Sequence, residues 1–265
     1  MTNIGPLALG AGLGALLVRE RNARLAAERM AAALFETLLN AIDANDAQTG
    51  AHVRRVASYT LIIADAAGLD EGTIGMCERI ALFHDIGKVH EALFDIIHEH
   101  ERLSPSERRA VATHPQRGAA VLAPLKSFYP ELADSVMAHH ERWDGAGYPR
   151  GLRGDQIPIG ARIVAIADTF DAITHKRRYR TARSAQHAAD ALAEGRGTQF
   201  DPDLIDLVLA PPVWARILRA HRTAHQQRVR PPGPQETSVP DVKFRWRTKT
   251  IDPAAGTYDR VSPTP

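Results

Sequence analysis

Cysteine is nearly missing from this 265-residue chain, which holds only Cys77. A lone cysteine excludes an internal disulfide framework and suits a reducing compartment. In its apolar helical context it reads as a small buried hydrophobe. A charge excess is missing too. The 33 Lys and Arg against 31 Asp and Glu leave a net charge of +2, with no basic stripe of the kind that marks nucleic-acid binding, so no nucleic-acid partner is expected. Alternating apolar and polar runs, which mark half-buried strands, are lacking. So is a full-length membrane span. The uncharged run Ile4–Val18 has 15 residues, about 22 Å of helix against a bilayer core of about 30 Å. No Lys or Arg precedes it, so the basic start of a secretory signal is absent. Arg19, Arg21, Arg24 and Arg29 follow it. If residues 4–18 insert, the positive-inside rule places all that follows in the cytoplasm, giving a cytoplasmic domain on the inner membrane. The alternative is an apolar tail, or a helix packed on a partner.

Proline and glycine are absent from Leu16 to Ala44, a stretch rich in Ala, Leu, Arg and Glu, which predicts a long helix. Met30, Leu34, Leu38 and Ile42 form one apolar stripe on it. The stripe either enters the core or pairs with a second copy as a homodimer. Further helices are predicted in "AHVRRVASYTLIIADAAGL", stopping at Gly68, and in "DEGTIGMCERIALFHDIGK" with its acidic first turn. "SPSERRAVATHPQRGAAVLAPL" opens with Ser104 as N-cap, Pro105 at the first helical position and Glu107 three after the cap. "PELADSVMAHHERW", "IPIGARIVAIADTFDAIT", "SAQHAADALAEG" and "DPDLIDLVLA" continue the pattern, and "PPVWARILRAHRTAHQQRVR" extends it. The fold class is all-α. Residues 1–33 read as an N-terminal apolar segment and linking helix, 34–229 as one domain, and 230–265, after "RPPGPQETSVPD", as a disordered tail.

Within these helices stand His52, His84, Asp85, His114, His139, His140 and Asp168. A carboxylate on the apolar face of a helix costs several kcal/mol unless it is paired or metal-bound. Imidazoles suit Fe, Zn, Ni or Mn, and a carboxylate can bridge two cations. Adjacent histidines project about 100° apart on an ideal helix. Both can face one ion only where the helix ends or distorts, and the break at Gly145 and Gly147 lies just downstream of His139–His140.

"HDIGK" (His84–Lys88) resembles the HD motif of metal-dependent phosphohydrolases. "HHERWDGAGYP" (His139–Pro149) resembles the second signature of the HD-GYP subfamily, whose known members hydrolyse cyclic di-GMP. The likeness continues through "THPQRGAAVL", "IPIGARIVAIADTFDAIT", "RRYR" and "GTQFDP", over roughly residues 34–210. It implies an HD-superfamily helical bundle and two divalent transition-metal ions (Fe, Mn, Ni or Zn). One ion would lie among His52, His84, Asp85 and Asp168, the other among Asp85, His114, His139 and His140, with Asp85 bridging. It implies that Asp85 and Lys88 are catalytic. Lys88, Gly147, Tyr148, Pro149, Asp171, Arg177 and Arg180 would contact substrate, the arginines through forked bonds to phosphate. Glu141 and Asp144 would orient the loop. The implied reaction is attack of a metal-activated hydroxide on the phosphorus of cyclic di-GMP, giving pGpG and further GMP. The loop ending in Gly147–Pro149 is a proposed contact for a diguanylate cyclase domain.

This chain also departs from the family. Gln48 stands where some members carry a glutamate for a third metal, so two ions are expected. "RRYR" replaces the usual "RPYR", and "VHEALFD" replaces "IGIPD" after the lysine. The changed lip leaves room for another cyclic dinucleotide, such as cyclic GMP-AMP, while a non-catalytic binding module would show lost metal ligands. His90, His98 and His100 in that stretch read as surface residues. The first 45 residues are too few for a receiver domain.

Overall fold

The computed structural model describes residues 18–23, 26, 29–30, 33–41, 44, 46–89, 104–175 and 181–229. The chain divides into a unit Met1–Gln226 and a second unit, Gln227–Pro265. Of the second, only 227–229 are described, as the end of a helix. The predicted tail, the apolar run at residues 4–17, His90, His98, His100, Arg177 and Arg180 lie outside the described residues. No helix among the described residues is long and apolar enough to cross a membrane.

The fold is all-α. Among the described residues there is no strand, only an isolated bridge between Arg196 and Phe200. Helical residues between 18 and 44 precede α1 (Ala47–Ala66), α2 (Glu71–Phe83), α3 (Pro105–Val111), α4 (His114–Leu122), α5 (Leu132–Met137), α6 (Ile159–Thr174), α7 (Ala185–Glu194), α8 (Pro202–Leu209) and α9 (Pro211–Val229). A 3₁₀ turn, Ile86–Val89, follows α2. Side chains set the starts. Asp46, Asp70, Ser184 and Asp201 accept backbone N–H bonds from the first turns of α1, α2, α7 and α8. Ser104 and Glu107 form the predicted reciprocal cap on α3.

One predicted helix is two. The chain breaks at Ala112–Thr113 between α3 and α4. Pro115 is the physical reason. Proline lacks an N–H and its ring crowds the carbonyl four residues back, here that of Val111. The helix expected over "PELADSVMAHHERW" is also short, ending at Met137. His139 and His140 therefore stand in a turn, where two adjacent rings can face one side.

Helix α6 is the central element, with Ile163, Val164, Ile166, Ala167 and Phe170 all buried. Phe170 meets Tyr59 of α1 at 4.9 Å and Trp214 of α9 at 5.5 Å, edge to face. Burying each such side chain stabilises by roughly 1.5–3 kcal/mol. The N-terminal helical stretch docks through Phe35 and Leu39, both buried, with Phe35 stacked on Phe83 at 5.0 Å. Of the predicted stripe, Met30 and Leu34 are exposed and Leu38 is half-buried, while Ile42 lies outside the described residues. The large ring of Phe35, one position along, turns the buried face of that helix away from Met30 and Leu34.

Candidate metal centre

Three helix ends and two helix interiors bring the predicted ligands together. His84 closes α2, His114 opens α4 directly after α3, and His139 follows α5. The last carbonyls of a helix have no partner within it, and these rings take them up. Nδ1 of His84, His114 and His139 lies 2.7, 2.8 and 2.6 Å from the carbonyls of Ala81, Val111 and Val136. A carbonyl only accepts, so each Nδ1 carries a hydrogen, and in the neutral ring Nε2 is left as a bare lone pair. That is the tautomer and aim of a metal-ligating histidine.

His52 comes from the middle of α1 and Asp168 from α6. Nε2 of His52 is 3.3 Å from Oδ1 of Asp168 and 3.8 Å from Oδ2 of Asp85. The two oxygens of Asp85 face different neighbours. Oδ2 lies 3.4 Å from Nε2 of His84, and Oδ1 lies 3.3 Å from Nε2 of His114. The Ile86–Val89 turn makes this reach possible through Gly87. A Cβ there would overlap the backbone of His114 and Gly118, so only glycine lets the turn touch α4.

Two groups result: His52, His84 and Asp85, and His114, His139 and His140. Within each, the ligand atoms lie within 4.8 Å of one another. These residues fit a metal. Nε2 of His52 and of His84 is buried without a hydrogen bond. Nε2 of His114 faces Nε2 of His139 at 3.1 Å, two lone pairs that repel unless a cation or a proton lies between them. Burial, with His140, His84 and His114 close by, holds His139 well below the ordinary imidazole range, which disfavours the proton. Burial and His114 push His140 down to about 3. His52 runs the other way. Burial opposes its charge, but the carboxylates of Asp168 and Asp171 beside it carry it upward. Asp85 is held well below the usual carboxylate range: burial works against this, but the charge of Lys88, with His84 and His114 close by, outweighs it.

Lys88 pairs with Asp85, its Nζ 2.7 Å from either oxygen. Tyr148 stacks on His140 at 4.9 Å and 25° with part of its surface exposed. Its loop is held from three directions. The buried Glu141 carboxylate accepts from the backbone N–H of Arg150 (2.7 Å) and Leu152 (3.0 Å). Trp143 and Asp144 donate backbone bonds to Gln199 and Thr198, and the Asp144 side chain accepts from Arg142 and from the backbone of Ala146. A Cβ at Gly147 would overlap the backbone of Glu141 and Arg142. Pro149 follows Tyr148 through a cis bond.

Asp171 stands apart from the other expected substrate contacts. It is 1% exposed, and its carboxylate is taken up by His52, Arg55 and His175. Arg55 and His175 were not expected. Helical spacing carries their signal, since Arg55 lies three residues after His52 and His175 four after Asp171, each pair sharing a helix face.

A largely buried cluster of five histidines and two aspartates on an all-α scaffold defines a class, and the HD domain family model matches residues 36–204. The chain belongs to the HD domain family. It is 39% identical over 178 residues to the 3′3′-cGAMP-specific phosphodiesterase 2 of Vibrio cholerae serotype O1, covering 66% of this chain and 34% of that protein. It is 35% identical over 174 residues to the cyclic di-GMP phosphodiesterase response regulator RpfG of Xanthomonas campestris pv. campestris, covering 65% of this chain and 46% of the relative. The chain thus spans less than half the length of these curated relatives. A crystal structure of a cyclic GMP-AMP specific phosphodiesterase from V. cholerae shares the fold, with a TM-score of 0.52 and 21% identity over 75% of this chain and 53% of that one.

Proposed function

We propose that the protein is a metal-dependent phosphodiesterase that opens cyclic di-GMP to pGpG, with further cleavage to GMP. The observation that carries this reading is Asp85, one oxygen toward His52 and His84 and the other toward His114. Such a carboxylate suits two divalent ions side by side, with His52, His84 and Asp168 on one flank and His114, His139 and His140 on the other. Bound there, two ions would lower the pKa of water and neutralise phosphate charge. The residues supply the rest. Three Nδ1 bonds to backbone carbonyls hold three ligands in one tautomer. Lys88, at the edge of Asp85, brings positive charge to a phosphate oxygen. Tyr148 offers a flat face beside His140 to a base or ribose, on a loop shaped by Gly147 and Pro149. Arg177 and Arg180 are proposed as phosphate forks. The same loop is a candidate contact for a diguanylate cyclase domain, and the exposed Met30 and Leu34 for a homodimer. A cytoplasmic site of action follows from that substrate.

Hydrolysis of 3′3′-cyclic GMP-AMP is the second reading, favoured by the 39% identity to an enzyme named for that substrate. One experiment separates them: metal content and hydrolysis of both dinucleotides by protein purified without oxygen, beside Asp85→Ala. Two metals per chain and pGpG formed by the wild type alone supports the first reading. Turnover confined to cyclic GMP-AMP supports the second. A chain that takes up no metal and turns over neither substrate refutes both.

A further inference from the structure

We propose that Asp171, gripped by Arg55 and His175, is a positioning residue that sets the tautomer and aim of His52, and is not a substrate contact. The inference rests on the metal reading of the cluster. His84, His114 and His139 sit at helix ends, where free carbonyls hold Nδ1. His52 lies inside α1, where backbone carbonyls are already committed to the helix. A side chain must do for it what the helix ends do for the others, and Asp171 is that side chain. Its Oδ2 lies 2.6 Å from Nδ1 of His52.

Asp171 is in turn fixed. Arg55 donates a fork to it, Nε to Oδ1 at 2.7 Å and Nη2 to Oδ2 at 2.9 Å. Nδ1 of His175 is 3.0 Å from Oδ1. Both oxygens are therefore engaged twice, and at 1% exposure none of the carboxylate faces an open cleft. A charged, immobile acceptor holds the imidazole hydrogen on Nδ1 and strengthens Nε2 as a donor to a cation. The support extends past the matched segment 36–204: His221 of α9 meets the His175 ring edge-on at 4.9 Å.

The test is Mn²⁺ binding by competition with a chelating dye, run on the full chain. Asp171→Asn is expected to bind Mn²⁺ about 10–100-fold more weakly, with the KM for cyclic dinucleotide at saturating Mn²⁺ unchanged. If that variant fails to fold, His175→Gln keeps the Arg55 fork and is expected to lose several-fold in Mn²⁺ affinity. A folded variant with wild-type Mn²⁺ affinity and a raised KM would overturn the positioning role and restore substrate contact; unchanged affinity and KM would overturn it as well. Failure of the wild type itself to bind Mn²⁺ would instead overturn the metal reading, and this role with it.

Discussion

Replacing Gly87 by alanine should break the centre without touching a ligand. A Cβ at Gly87 would stand 2.6 Å from the backbone nitrogen of Gly118 and would also overlap the carbonyl of His114. Both obstacles are backbone, so no side chain can swing away. Relieving the Gly118 contact alone takes a retreat of 0.4 Å, to the 3.0 Å below which real Cβ contacts are essentially never found, and the nearer carbonyl of His114 demands more. Asp85, two residues earlier, moves with it and away from Nε2 of His114, now 3.3 Å distant. Forced overpacking of this kind typically costs about 1–3 kcal/mol, and each kcal/mol lowers Tm by about 2–4 °C in a domain of this size. Misplacing a reacting group by about 1 Å can cost 10²-fold in rate. The assays are thermal unfolding, Mn²⁺ competition and dinucleotide hydrolysis. Gly68→Ala is the control. Its φ is +70° and nothing lies within 4 Å of an added Cβ, so it should cost roughly 1–2 kcal/mol from backbone strain and leave Mn²⁺ affinity unchanged. Wild-type Tm and Mn²⁺ affinity in Gly87→Ala would refute the reasoning, as would an equal loss of Mn²⁺ affinity in the control.

Two further predictions concern the loop and proton uptake. Glu141→Gln removes a buried carboxylate that receives two backbone N–H groups, at a cost of about 1–3 kcal/mol. It should raise the KM for dinucleotide and leave metal content intact, and metal loss would show that Glu141 supports the ligands themselves. Chelated protein should lose stability in acid. His140 is held at about 3 and His139 well below its ordinary value, whereas both take up protons near pH 6.5 once unfolded. Their contribution is complete above about pH 6.5 and falls by about 1.4 kcal/mol per pH unit per histidine as pH drops below it. His52, raised in the folded state, adds stability that is complete below about pH 6.5 and is lost as pH rises above it, so it leaves the acid slope itself unchanged. Urea titrations in EDTA from pH 7 to 4 measure the slope, and His140→Phe should flatten it. An unchanged slope would show that His140 does not carry it.

Much of the fold could be read from the chain because local chemistry and tertiary structure agree. Asp70, Ser104 and Ser184 start their helices where capping chemistry puts them, and Gly68 follows the end of α1 with a positive φ. The seven expected ligands converge because the motifs fix which helix ends meet. The rest depended on contacts between distant segments. The break between α3 and α4 follows from Pro115 acting on Val111. The face that buries Phe35 is chosen by Phe83 and Tyr129, which periodicity within one helix does not contain. Arg55 and His175 carry no local mark of their role, because what joins them is Asp171, over a hundred positions from Arg55.

Three of the candidate ligand rings are aimed by carbonyls only three residues back in their own segments. Each such arm is a self-contained cassette, a helix end plus the histidine that caps it, and its orientation does not depend on whether the other arms are present. Loss of one cassette therefore leaves the others pointing where they did, and a damaged centre degrades by steps. His52 is the exception: its aim is borrowed from a distant helix, which makes it the arm most exposed to changes elsewhere in the chain.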